Sequence, residues 1–88
     1  MIDENTITIY KILNRRGDDS YEIMRFTKTL KRLGITSIIL KNGKKISIKQ
    51  FNYIFMYLLN QEYPVKTVLQ MIANNSYDMK LPNVWKIS

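Results

Sequence analysis

The feature that most constrains how this chain folds is the dipeptide Asn42-Gly43. It separates two β-forming runs, Thr36 to Leu40 (TSIIL) and Lys44 to Ile48 (KKISI). Asn-Gly in that setting is a strong hairpin signal, because a type I′ turn needs positive φ at both central residues.

Helical patterns lie on either side. Asp19-Ser20-Tyr21-Glu22 has the form of a helix start, an Asp N-cap with Glu three residues later. Ile23, Phe26, Leu30 and Leu33 follow at helical spacing, and Gly34 stands where a C-terminal glycine cap belongs. The spacing predicts a first helix over 20–33; a strand over 21–27 competes with it. Ser47 or Ile48 opens a second helix running to about Gln61, with Phe51, Ile54, Phe55, Leu58 and Leu59 as its broad buried face. Pro64 suits the first turn of a third helix over 64–75, with Val65, Val68, Leu69 and Ile72 on one side. At the front, Thr6 to Leu13 (TITIYKIL) reads as a strand, with Thr6 and Thr8 alternating with Ile7 and Ile9. Residues 14–19 break it, with Gly17 as the turn residue. After Pro82, Val84 to Ile87 reads as a short last strand. The order β-α-β-β-α-α-β predicts one α+β domain over residues 1–88, a small antiparallel sheet packed with about three helices. Trp85 is most simply a core plug, and the five methionines fill gaps.

Composition narrows the chemistry. A chain of 88 residues is one domain, too small for a two-domain enzyme with a large cleft. The 45% of hydrophobic residues sustains a core. There is no cysteine, so disulfides, thiolate metal sites and a cysteine nucleophile are excluded. There is no histidine, the usual general base and commonest metal ligand. The three glycines form no phosphate-cradling loop. The densest acidic cluster is Asp18, Asp19 and Glu22, two of which are better explained as a helix cap. Asp3, Glu4, Glu62 and Asp78 lack the convergence a magnesium nuclease needs. The expectation is a non-enzyme with no catalytic residue, metal site or cofactor. The most apolar run, Phe51 to Leu59, falls short of the roughly 18 residues of a membrane span. The chain begins Met-Ile-Asp-Glu, acidic where a signal peptide is basic. A cytoplasmic protein with no membrane partner is expected.

The net charge is +7, with a pI near 9.8, which suits a polyanionic partner. The charge is concentrated. Ile23 to Gln61 contains no acidic residue but holds Arg25, Lys28, Lys31, Arg32, Lys41, Lys44, Lys45 and Lys49. On the first helix, about 100° per residue places Arg25, Lys28 and Arg32 opposite the apolar stripe, with Tyr21 on the same basic face. Lys41, Lys44 and Lys45 cluster at the hairpin tip, and Arg15 and Arg16 follow the first strand. Such a surface is either a solvated, solubilising face or a phosphate-binding one. A merely soluble helix interleaves Glu with Lys at i,i+4, whereas Lys28 and Arg32 repel at that spacing. On the second helix, Lys49, Tyr53, Tyr57 and Asn60 share the polar side. The tyrosines either stack on unpaired bases, pack against the fold with hydroxyls at the surface, or form a self-association face and a homodimer. The aromatic signature of an RRM and the GXXG loop of a KH domain are absent. A helix-turn-helix would leave its recognition helix with Lys66 as its one cation.

Thirteen Ile, ten Lys and eight Asn, with Ala73 the single alanine, point to an AT-rich gene. In this composition the chain resembles the small early host-takeover or anti-defence proteins of large tailed bacteriophages. The resemblance implies a protein that binds host nucleic-acid machinery or neutralises a defence system or toxin ribonuclease through shared RNA. It carries over no residue. The functional expectation is a non-enzymatic nucleic-acid binder, RNA somewhat favoured over DNA. Arg15, Arg16, Arg25, Lys28, Arg32, Lys41, Lys44, Lys45 and Lys49 would contact phosphates, and Tyr53 and Tyr21 would stack. The alternatives are an inhibitor or adaptor docking its basic face on an acidic host or defence protein, and a DNA-binding transcription regulator.

Overall fold

A computed structural model describes residues 4–14 and 19–77 of the chain. It is a small α+β fold in the order β1 (Thr6–Thr8), α1 (Tyr10–Leu13), α2 (Ser20–Arg32), β2 (Ser37–Ile39), β3 (Lys45–Ser47), α3 (Ile48–Asn60) and α4 (Val65–Ala73). The expected last strand at 84–87 and Trp85 lie outside the described residues.

The sheet is mixed rather than antiparallel. β2 pairs antiparallel with β3, Ile38 opposite Ile46, and parallel with β1, Ile38 opposite Ile7. The physical reason lies in residues 9–36. Adjacent strands joined through a helix return in the same direction, whereas a tight turn reverses them. The first strand is also shorter than its β-forming composition indicates. Ile9 makes the last contact with β2, its N–H donating to Ile39 O at 2.8 Å. The chain then curls into α1, with the N–H groups of Ile12 and Leu13 both donating to Ile9 O at 3.0 Å. This replaces a two-residue period with a helical one and buries Ile9 and Ile12 together.

The Asn-Gly turn forms the hairpin with a different turn geometry. Gly43 takes φ +88°, while Asn42 stays at negative φ. Gly43 N–H donates to Leu40 O at 3.0 Å, and Leu40 N–H to Lys44 O at 2.8 Å. The loop is therefore the three residues Lys41-Asn42-Gly43, a type I-like turn followed by a left-handed glycine. Asn42 Oδ1 accepts from Lys44 N–H at 2.9 Å, a local Asx turn that favours this geometry.

Helix ends follow local chemistry. Asp19 Oδ1 accepts from Tyr21 N–H at 3.0 Å and starts α2. Gly34, at φ +91°, ends it: Gly34 N–H donates to Lys31 O and Ile35 N–H to Leu30 O, the paired bonds of a Schellman motif. That reversal returns Ile35 to the core and leaves Leu33 74% exposed, so Leu33 is not part of the buried stripe as its spacing predicted. Thr27 takes a buried place instead, its hydroxyl satisfied by donation to Met24 O at 2.8 Å. α3 opens with a reciprocal capping box between Ser47 and Gln50. Pro64 sits at the N-cap of α4 rather than inside its first turn, and Asn75 closes that helix at φ +55°.

One core joins these elements. Ile9, Ile12, Ile23, Ile38, Phe51, Ile54, Phe55, Val68 and Ile72 are essentially sealed from water. Phe51 and Phe55 stack at its centre, with ring centroids 5.7 Å apart. α3 packs against α2, α4 and the sheet, so its opposite side is the surface between the flanking helices.

Candidate nucleic-acid interface

Burial of Ile23, Thr27 and Leu30 sets the rotation of α2. Tyr21, Arg25, Lys28 and Arg32 then fall on its outward face, and all four are exposed. The Arg25 guanidinium lies over the Tyr21 ring, 5.8 Å from its centroid, a cation–π contact one turn apart. Arg25 is exposed on the helix surface, and a guanidinium so exposed can fork onto phosphate. The described carboxylates are Glu4, Asp19, Glu22 and Glu62. Asp19 is spent on the helix cap. Glu22 lies on the other flank of α2, where it lines a hollow of about 290 Å³ with Arg25, Phe26 and Thr29.

The remaining expected cations are distributed over other elements. Lys41 is drawn to α4: its N–H donates to Ala73 O at 3.1 Å and its Nζ to Gln70 Oε1 at 3.3 Å. That anchors the hairpin loop at the carbonyl end of α4, where a cation is favourable. Lys44 and Lys45 are exposed on the hairpin. Arg15 and Arg16 lie outside the described residues. The hairpin cations and the α2 face are thus set by different supports, the hairpin loop by α4 and the α2 face by the core.

The polar side of α3 carries a feature of its own. An open depression of about 490 Å³ runs along it, bordered by Lys49 at one end and Asn60 at the other. Its walls are Tyr53 and Tyr57, with Asn52 and Met56 beside them. Lys31 reaches the same depression from α2. Lys49 and Tyr53 therefore come together as the helical spacing of α3 implies. Lys31, Asn52 and Met56 were not among the expected contacts. Lys31 lies on the flank of α2, neither on the apolar stripe nor opposite it, and flank residues meet a neighbouring helix only once the helices pack. Its position next to Arg32 gave no separate signal.

The arrangement offers cations for phosphates, aromatic faces for bases and side-chain amides for base edges. Among the described residues no group of three His, Cys, Asp or Glu could hold a metal. Nor is any described helix long and apolar enough to cross a membrane. No protein-family model, curated protein or solved structure matches the chain.

Proposed function

We propose that the protein is a non-enzymatic binder of nucleic acid, with RNA favoured over DNA. The observation that carries this reading is the outward face of α2, where Arg25, Lys28 and Arg32 stand together with Tyr21 and the one carboxylate of the helix, Glu22, lies at its flank beside Arg25. Like charges four residues apart cost helix stability. A polyanion laid along the face turns that cost into binding free energy, because each neutralised phosphate releases condensed counterions. Lys31 and Lys49 extend the positive surface to the α3 depression, whose tyrosines favour a strand with accessible bases.

The test is what accompanies the protein from cells. The purified chain is followed by absorbance ratio and gel filtration before and after ribonuclease and deoxyribonuclease treatment. The expected result is an RNA-bearing complex that collapses to the free chain on ribonuclease digestion. A complex that survives both nucleases and contains an acidic protein would replace this reading with docking on that protein.

A further inference from the structure

The geometry points to the depression on α3 as the seat of an unpaired nucleobase, with Lys31 and Lys49 holding neighbouring phosphates, so that the protein selects single-stranded nucleic acid over duplex. This rests on the nucleic-acid reading above and adds to it which form is bound and where.

Three observations carry it. Tyr53 and Tyr57 are one helical turn apart on the wall of the depression. Each ring offers a face on which an unpaired base can stack, whereas a base held in a duplex cannot leave its stack without losing its pairing. Second, Asn52 Oδ1 is shielded from solvent with no hydrogen-bond donor among the described residues. An unpaired buried acceptor is costly, and the N–H edge of a base supplies the missing donor once the amide turns toward the opening. Third, two cations border the site. Lys49 lies in the first turn of α3, and Lys31 arrives from the neighbouring helix. A second copy of the chain would bring the same lysines face to face, with no acidic residue from 23 to 61 to offset them. An acidic peptide would satisfy the lysines but leave the tyrosine faces and Asn52 unused.

Fluorescein-labelled octauridylate and a short RNA duplex, titrated with the full chain at one salt concentration and read by anisotropy, test this. Tyr53→Ala and Tyr57→Ala should each weaken octauridylate binding by about fivefold to a hundredfold, the range for one lost base-stacking platform. Their duplex affinity should change by less than about twofold. Arg25→Glu with Arg32→Glu, on the α2 face, should weaken both probes. Where a tyrosine variant loses its cooperative thermal transition, amide NMR of the unmodified chain decides. Octauridylate should then shift Lys31, Lys49, Asn52, Tyr53 and Tyr57 together. Equal binding of both probes with no shift at these residues overturns the inference and leaves the nucleic-acid reading standing. Failure to bind either probe overturns both. A Tyr57→Ala variant that splits a dimer without altering oligonucleotide affinity assigns the face to self-association and overturns the inference.

Discussion

Reversing two charges on α2 separates binding from folding, because Arg25 and Arg32 lie opposite the buried Ile23, Thr27 and Leu30. Consider Arg25→Glu with Arg32→Glu. The stability terms are small and partly cancel. The Tyr21–Arg25 contact, exposed at 5.8 Å, is worth about 0.5 kcal/mol. Arg32 occupies the last turn of α2, where replacing a cation by an anion costs about 0.5–1 kcal/mol against the helix dipole. In return, repulsion between Lys28 and residue 32 becomes attraction, a gain of about 0.5 kcal/mol. The net loss should be within about 1 kcal/mol, a midpoint shift of about 4–8 °C at most for a domain of this size. The binding terms are larger. Two charge-assisted phosphate contacts at about 1.5 kcal/mol each give a loss on the order of a hundredfold. The plot of log affinity against log salt should become shallower by about 1.4 on a single strand. The assay is anisotropy with labelled RNA over a salt series, beside thermal melts followed by circular dichroism. An intact melt with unchanged affinity and slope would show that this face does not meet phosphate. A collapsed melt would show that the outward placement of these arginines is wrong.

Thr6 Oγ1 is buried with no hydrogen-bond partner among the described residues, so Thr6→Val, which keeps the shape and removes the orphan hydroxyl, should raise stability by about 1 kcal/mol in urea unfolding. Ser47→Ala breaks the capping box at the start of α3, where Ser47 Oγ accepts from Gln50 N–H at 3.0 Å. It should cost about 1 kcal/mol by the same measurement, and no loss would mean that the cap carries little of the helix. Partial burial raises the pKa of Tyr77 above its ordinary value of 10.0. A raised folded-state pKa gives a contribution fully present below the unfolded value and lost as pH rises through the folded one. Melts of the unmodified chain and Tyr77→Phe should therefore keep a constant difference up to about pH 10. Above it the unmodified chain should lose stability faster, and parallel curves there would refute the burial of its hydroxyl.

The parts of the fold legible in the sequence are those fixed by contacts within a few residues. The Asp19 cap, the apolar spacing from Ile23 to Leu30 and Gly34 bracket α2, and the Ser47–Gln50 pair opens α3 where the strand pattern ends. The Asn42-Gly43 pair placed the hairpin correctly but not its turn class. A type I-like turn with a glycine bulge and a type I′ turn use nearly the same residues, and Lys41 docking on α4 joins Asn42's own side-chain bond in the observed form. The candidate interface divides in the same way. Tyr21, Arg25, Lys28 and Arg32 could be assigned to one face, and Lys49 and Tyr53 to another, because each face belongs to a single helix of known period.

What depends on two distant segments was not legible. The parallel pairing of β1, the curl into α1 and the arrival of Lys31 beside Asn52 and Tyr57 all depend on how finished elements pack. The amino-acid order alone determined where helices start and stop and that the charge is gathered between residues 23 and 61. Tertiary structure decided which cations share a surface. A helical period fixes direction around one axis only, while the distance between two axes is set by the isoleucines and phenylalanines that fill the space between them.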